Sequence, residues 1–171
     1  MPRYVALLRG VSPMNAKMPE LKAAFEAAGF KNVKTLLSSG NVVFDAPKAA
    51  STTLQRKCEA AMEKSLDRSF QTIVRSQQEL LALIEEDPFS AFRLPKDAKR
   101  VVTFVRTMPE ALPKLPVERD GARILALRGH ELLTAYVPTD KGAVFMAFIE
   151  KTFGKDVTTR TWDTVKKCAA A

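Results

Sequence analysis

The hydrophobic pattern at the start of the chain predicts a buried strand followed by an amphipathic helix. Tyr4 to Leu8 form a continuous apolar run, which is typical of a central strand covered on both faces. The run ends at Arg9-Gly10, and a polar loop follows it. Pro19 then stands where a proline suits the first turn of a helix, and Gly29 is the residue expected to end that helix.

A hairpin is predicted next. Val33 to Leu37 and Asn41 to Phe44 have the composition of two short strands, with Ser38-Ser39-Gly40 at the turn between them. Glycine suits such a turn because it adopts a positive φ at little cost.

Two capping boxes predict where the following helices begin. Thr52 and Gln55 have the spacing of a capping box at the start of a helix that extends to about Leu66. Ser76 and Glu79 have the same spacing before a third helix.

The order of these elements predicts an α+β fold with a ferredoxin-like βαββαβ first half, in which Phe70 to Val74 is the fourth strand. Right-handed crossovers place the first strand between the fourth and the third. Arg9 is therefore expected beside the turn from Ser38 to Asn41. The first helix begins at the same end of the sheet, so its unpaired amide groups near Glu20 and Leu21 are expected to add positive potential.

The second half predicts a smaller α+β domain. Val101 to Val105 is expected to be a strand, and Ile124 to Leu127 is expected to pair with Glu131 to Val137 across a turn at His130.

Two helices are predicted to complete this half. One runs from about Lys141 to Gly154, and the segment Thr158 to Val165 is expected to open a final short helix. The resulting domains are residues 1–95 and 96–171.

The net positive charge of the chain favours an anionic partner but does not identify it. The formal net charge is +8, from 27 lysines and arginines and 19 acidic residues, and it suits phosphate-bearing ligands or nucleic acid. The two signs are interspersed, so a merely solvated basic surface is the alternative. Cys58 and Cys168 lie far apart, and no secretory leader or membrane span is apparent, which favours a reducing cytoplasm.

The composition offers no familiar catalytic or metal signature. His130 is the single histidine and is expected to be an exposed turn residue, so neither a histidine-based triad nor a metal cluster is expected. The seven glycines form no Walker or dinucleotide fingerprint, and no cofactor is expected. Trp162 is interpreted as a core anchor.

Several motifs together resemble a bacterial family. In chain order they are Ala6-Leu7-Leu8-Arg9-Gly10-Val11, Lys17-Met18-Pro19-Glu20-Leu21, Ala28-Gly29-Phe30, Ser38-Ser39-Gly40-Asn41-Val42-Val43-Phe44 and Thr159-Arg160-Thr161-Trp162-Asp163-Thr164-Val165. As a set they resemble the family known as domain of unknown function sixteen ninety-seven. The resemblance implies a ferredoxin-like first half, a second α+β half and no established activity. Many members have a Val-Gly-Gly loop after the Arg-Gly pair, whereas this chain has Ser12-Pro13-Met14-Asn15.

Five residues form the candidate ligand site: Arg9, Lys17, Ser38, Asn41 and Arg160. The three cations suit a phosphate or carboxylate group, and Arg160 is expected to add a second guanidinium fork. Each residue also has a structural interpretation. The arginines can bond carbonyl groups or acidic side chains, while Ser38 and Asn41 can serve the turn itself.

Three functions remain open at this point. The favoured one is the binding of a small anionic ligand, and the second is the binding of nucleic acid through net charge. The third is an enzyme that uses Asp45 or Asp163 as acid or base, with Arg9 or Arg160 stabilising negative charge. A structural or partner-docking role is the plain alternative. No membrane partner is expected, and the oligomeric state is left open.

Overall fold

The computed structural model describes residues 1–37, 40–139 and 144–171. The chain divides into two compact units, of which unit 1 comprises Met1–Glu85 with Lys166–Ala171 and unit 2 comprises Glu86–Val165. Each unit contains an antiparallel sheet, and five α-helices lie within the described residues. The α+β class predicted from the sequence is therefore confirmed.

Unit 1 is built on a four-stranded antiparallel sheet. Its strands are β1 (Arg3–Leu8), β2 (Lys31–Leu36), β3 (Asn41–Asp45) and β4 (Thr72–Ser76), and its helices are α1 (Met18–Ala27), α2 (Ser51–Leu66) and α3 (Gln77–Glu86). The spatial order is β2-β3-β1-β4. This is the strand order that right-handed crossovers predict.

The core of unit 1 lies where α1 and α2 pack against the sheet. Phe25 of α1 and Leu54 of α2 are fully buried, as is Phe44 of β3. The rings of Phe30 and Phe44 lie 4.3 Å apart between their centroids. Alternate side chains of β1, such as Ala6 and Leu8, join this cluster because successive residues of a strand point to opposite faces.

The first helix ends as its sequence predicts. Gly29 has φ +96°, which a residue with a side chain rarely adopts. Its N–H group donates to the carbonyl of Glu26 at 3.0 Å, and the N–H group of Phe30 donates to that of Phe25 at 3.3 Å. This pair of bonds is a Schellman motif, so Gly29 is confirmed as the residue that ends α1.

Of the two predicted capping boxes, one forms. Ser76 Oγ accepts from the Glu79 N–H group at 3.1 Å, and Glu79 Oε1 accepts from the Ser76 N–H group at 3.1 Å. The box predicted at Thr52 and Gln55 is wrong, because α2 has no side-chain cap. Gln55 is buried, and its Oε1 accepts instead from the N–H group of Val74 in β4 at 3.1 Å.

Unit 2 contains a five-stranded antiparallel sheet. Its strands are β5 (Lys99–Val105), β6 (Val117–Arg119), β7 (Ala122–Arg128), β8 (Glu131–Tyr136) and β9 (Val157–Thr161), in the spatial order β6-β7-β8-β5-β9. A short 3-10 helix covers Pro88–Ala91, and the α-helices are α4 (Val144–Phe153) and α5 (Trp162–Ala170), the second of which continues into unit 1. Side chains of α4 such as Phe148 and Ile149 pack against one face of this sheet.

The prediction of a helix opening at Thr158 is wrong. Residues Val157–Thr161 form the edge strand β9 instead, with Val157 paired to Val105 and Thr161 paired to Val101. A run of valine and threonine favours a strand because β-branched side chains pack well on a pleated surface. The helix begins one residue later, at Trp162. The predicted helix start at Lys141 lies outside the described residues.

Candidate functional site

The candidate site lies at the end of the first sheet where β1 stops. The N–H group of Leu8 donates to the carbonyl of Gly40 at 2.9 Å, and the N–H group of Arg9 donates to that of Gln71 at 2.9 Å. Arg9 therefore stands between the start of β3 and the segment that leads into β4. Its predicted position beside the hairpin turn is confirmed at Gly40, whereas Ser38 lies outside the described residues.

The loop after β1 is held in place by Asn15. Its Nδ2 group donates to the carbonyl of Gly10 at 2.8 Å, and its Oδ1 atom accepts from the N–H group of Ser12 at 2.9 Å. The amide group of Ala16 closes the same turn on the carbonyl of Ser12 at 3.1 Å. A side chain thus fixes a loop for which many relatives are expected to have glycines.

Arg68 joins this loop from another part of the chain. Its Nη1 group donates to the carbonyl of Asn15 at 3.1 Å. The residue before it, Asp67, ends α2 in the left-handed conformation with φ +55°, which turns the chain toward β4. Three basic residues, Arg9, Lys17 and Arg68, therefore belong to segments that meet at one end of the sheet.

Lys17 is the residue immediately before α1, and it is exposed. Its carbonyl accepts from the N–H groups of Glu20 and Leu21, both at 3.1 Å. The expectation that these two amide groups are unpaired is therefore wrong, because the helix satisfies them with its own backbone. Any anion bound here would contact the side chains of the loop rather than these amides.

Asn41 is fully buried at the first position of β3. Its Nδ2 group donates to the carbonyl of Leu36 at 2.9 Å, across the hairpin. Its backbone is paired with Leu7 on one side and with Leu36 on the other. These contacts match the role of a turn residue that fixes where the hairpin closes.

Arg160 belongs to unit 2, whereas Arg9, Lys17 and Asn41 belong to unit 1. It lies in β9 and is 6% exposed. Its Nη1 group donates to Thr158 Oγ1 at 2.7 Å and to the carbonyl of Thr159 at 2.8 Å. Of its two sequence-based interpretations, these bonds support the structural one.

Asp45 is bound by two partners at the far end of β3. Its Oδ1 atom accepts from Arg3 Nη1 at 2.9 Å, and its Oδ2 atom accepts from Asn32 Nδ2 at 2.7 Å. The hydrogen bond from Asn32 and the guanidinium of Arg3 lower the pKa of this carboxyl group below its usual value. Such a group is a poor proton donor near neutral pH. Arg3 begins the strand that ends before Arg9, so Asp45 does not lie at the same end of the sheet.

The remaining residues singled out by sequence belong to other elements of the chain. Asp163 is exposed in the first turn of α5, and His130 is exposed between β7 and β8, as predicted. Cys58 and Cys168 are both buried with free thiols, and burial raises the pKa of the Cys58 thiol. Trp162 is buried and packs edge-on against Phe89 at 5.1 Å, which confirms it as a core residue.

Neither a metal-binding cluster nor a membrane-spanning helix occurs among the described residues. Within residues 1–37, 40–139 and 144–171, no group of three histidine, cysteine or acidic side chains is placed to hold a metal ion. In the same part of the chain, every helix is too short or too polar to cross a lipid bilayer.

The family assignment follows from the first 132 residues. The profile of the family described as "Protein of unknown function (DUF1697)" matches residues 1–132. The chain belongs to this family. The DUF1697 match includes Arg9, Lys17 and Asn41, and it ends before Arg160. The resemblance seen in the sequence motifs is thereby confirmed.

Comparison with curated proteins and with solved structures supports the fold of the chain and gives no activity for it. No functionally curated protein matches the chain. The conserved bacterial protein SP0830 from Streptococcus pneumoniae has a similar structure, with a TM-score of 0.69 and 19% sequence identity. The similarity covers 99% of this chain and 97% of that chain. At this identity it shows that the DUF1697 member shares a fold with that protein.

Proposed function

We propose that this DUF1697 member binds a small ligand with a phosphate or carboxylate group at the end of β1. The observation that carries the proposal is the meeting of three basic residues around one loop. Arg9 follows the strand, Lys17 ends the loop, and Arg68 is hydrogen-bonded to the loop through the carbonyl of Asn15. Guanidinium and ammonium groups supply the positive charge and the N–H donors that suit a phosphate or carboxylate.

The backbone around these side chains supports the proposal because it is fixed before any ligand arrives. The amide group of Arg9 is held by Gln71, and the loop is closed by the side chain of Asn15. A site whose backbone is already ordered loses less conformational entropy when a ligand binds. In this proposal Asn41 positions the hairpin turn beside Arg9 and does not itself contact the anion.

Arginine and lysine are expected to contribute differently. Arg9 is half-buried and offers a planar fork, so it is the residue proposed to bind two oxygens of the anion. Lys17 is exposed and is proposed to act as a point charge at the rim. Its contribution should therefore decline with added salt, whereas that of Arg9 should persist.

The test is calorimetric titration of the full chain with inorganic phosphate, a nucleotide, a sugar phosphate and a dicarboxylate. We expect saturable binding of at least one of these anions. Arg9→Ala should weaken it about tenfold or more, since a charge-assisted bidentate contact is lost. Lys17→Ala should weaken it about threefold, as is typical of an exposed ion pair.

Matched control variants distinguish binding at a specific site from a general attraction of anions by the net positive charge. Arg56→Ala and Lys31→Ala remove one exposed cation each, on α2 and at the start of β2. Both should leave the anion affinity unchanged. If these variants weaken binding as much as Arg9→Ala does, net charge alone attracts the anion. If Arg9→Ala leaves binding unchanged, the site assignment is wrong.

A further inference from the structure

A groove of about 510 Å³ lies between α1 and α2, within unit 1 and away from the loop of Arg9. It exists because both helices place small side chains where they face each other. Ala24, Ala27 and Ala28 line it from α1 and the residue that follows, while Ala60 and Ala61 line it from α2. A leucine at these positions would fill the gap, since alanine ends at its Cβ atom.

The interior of the groove is apolar. Leu54, Phe30 and Ala46, which are all buried, are among the residues that line it. A concave volume of a few hundred cubic ångströms with an apolar lining and few polar groups is typical of a small-molecule site. The groove would thus accept the hydrocarbon body of a ligand.

The rim of the groove is basic. Lys48, Lys57 and Lys64 line it, and among its lining residues that the structure describes none is acidic. Lys48 precedes α2 and Lys57 lies in the second turn of that helix. The start of α2 has no side-chain cap, so the positive end of the helix adds to the charge of these two lysines.

We propose that this groove binds a small amphipathic anion, an organic molecule with an apolar body and a single carboxylate head, such as a medium-chain fatty carboxylate. The body lies along the alanines of α1 and α2, and the head lies near Lys48 and Lys57. Lys64 lies two turns further along α2 and also lines the groove. This site is independent of the anion site at Arg9.

The test uses dodecanoate below its micellar concentration, with dodecanol and dodecylammonium as probes of equal chain length. Titration calorimetry on the full chain should show binding of one dodecanoate per chain. The alcohol should bind about fivefold more weakly or worse, because it lacks the charge that the lysines attract, and the ammonium should bind least. Equal binding of all three probes would mean that the groove recognises only hydrocarbon, which would overturn the proposal.

Two pairs of variants locate the site. Ala27→Trp places a large ring in the groove from an exposed position, whereas Ala23→Trp places it on an exposed position of α1 outside the groove. Lys57→Ala removes a rim charge, and Lys22→Ala removes an exposed charge of α1 outside the groove. Circular dichroism establishes that each variant is folded.

We expect Ala27→Trp to abolish dodecanoate binding and Lys57→Ala to weaken it about three- to fivefold, with both control variants unchanged. Arg9→Ala should also leave it unchanged, which keeps this test separate from that of the first site. The proposal fails if dodecanoate does not bind, or if Ala27→Trp binds it as the wild type does. It also fails if Ala27→Trp changes only the sedimentation of the protein, because the groove would then be a contact between copies of the chain.

Discussion

Gly40 and Val11 approach each other so closely that no side chain fits between them. A Cβ atom on Gly40 would lie 2.9 Å from both Cβ and Cγ2 of Val11, and 3.0 Å from Cβ of Leu8. Two of these three atoms are Cβ atoms, whose positions are set by the backbone, so side-chain rotation cannot relieve the contacts. The close approach is what allows the carbonyl of Gly40 to accept the N–H group of Leu8, and so it holds the hairpin turn against the loop that follows β1.

Gly40→Ala is expected to destabilise the protein by about 2–4 kcal/mol. One part of the loss comes from the backbone, because Gly40 has φ +85° and an alanine there costs about 1 kcal/mol. The larger part comes from overpacking against Val11, which typically costs about 1–3 kcal/mol. Urea denaturation followed by circular dichroism measures the free energy of unfolding.

Gly29→Ala is the matched control for this loss. Gly29 has φ +96°, but a Cβ atom there would meet nothing within 4 Å. Gly29→Ala should therefore lower the free energy of unfolding only by the backbone contribution, about 1 kcal/mol. Equal losses in the two variants would show that the contact with Val11 contributes nothing.

Asp45 should make the stability of unit 1 depend on pH. Its pKa is lowered by the hydrogen bond from Asn32 and by Arg3, so folding favours the charged carboxylate. The stabilisation is fully present above the ordinary value of 3.8 and is lost as the pH falls through the lower pKa of the folded state. Asp45→Asn should therefore destabilise the protein at neutral pH, by about 1 kcal/mol for a partly exposed ion pair.

The difference in the free energy of unfolding between the wild type and Asp45→Asn should become smaller as the pH is lowered below 3.8. Urea denaturation at a series of pH values measures it. Asp97→Asn, which changes an exposed loop carboxylate, should follow the wild type throughout. A difference between wild type and Asp45→Asn that stays constant down to the lowest pH would contradict a lowered pKa at Asp45.

Substitution of Arg160 can distinguish its structural interpretation from its ligand-binding interpretation. Its side chain is buried and bonds to Thr158 and to the carbonyl of Thr159, so Arg160→Ala should lower the free energy of unfolding by about 2–3 kcal/mol. The affinity for the anion that binds at Arg9 should stay as it is in the wild type. Arg160→Lys, which keeps a charge but loses the fork, should lower stability by a smaller amount. A loss of anion affinity without a loss of stability would instead assign Arg160 to the ligand.

The hydrophobic pattern was sufficient to predict the first sheet because its signals are local and agree with one another. The apolar run before Arg9 is buried on both faces, and Gly29 ends its helix through backbone conformation alone. The hand of the crossovers then determined the strand order, which placed Arg9 beside the hairpin turn. These inferences need only the residue types and the chirality of the chain.

The sequence-based predictions that were wrong concern residues whose structure depends on a partner far away in the sequence. Gln55 has the spacing of a capping residue, yet burial against β4 gives its amide group a better-placed partner in Val74. The segment from Val157 to Thr161 became a strand because β5 presents an edge for it to pair with. The groove between α1 and α2 was also missed, since a run of alanines has the same pattern whether the helices close upon each other or leave a gap.

The two predicted capping boxes allow a comparison between a capping residue that forms its bonds and one that does not. Ser76 caps α3 through reciprocal bonds with Glu79, so Ser76→Ala should cost about 1 kcal/mol of stability. Thr52 has the same sequence spacing, but α2 has no side-chain cap, and Thr52→Ala should change stability by less than about 0.5 kcal/mol. Thr52 lies inside α2, where the helix propensity of alanine favours the variant, whereas Ser76 precedes α3 and gains no such offset. Thermal and urea denaturation of the two variants measure the difference. A larger loss for Thr52→Ala than for Ser76→Ala would mean that the side chain of Thr52 forms a capping bond at the start of α2.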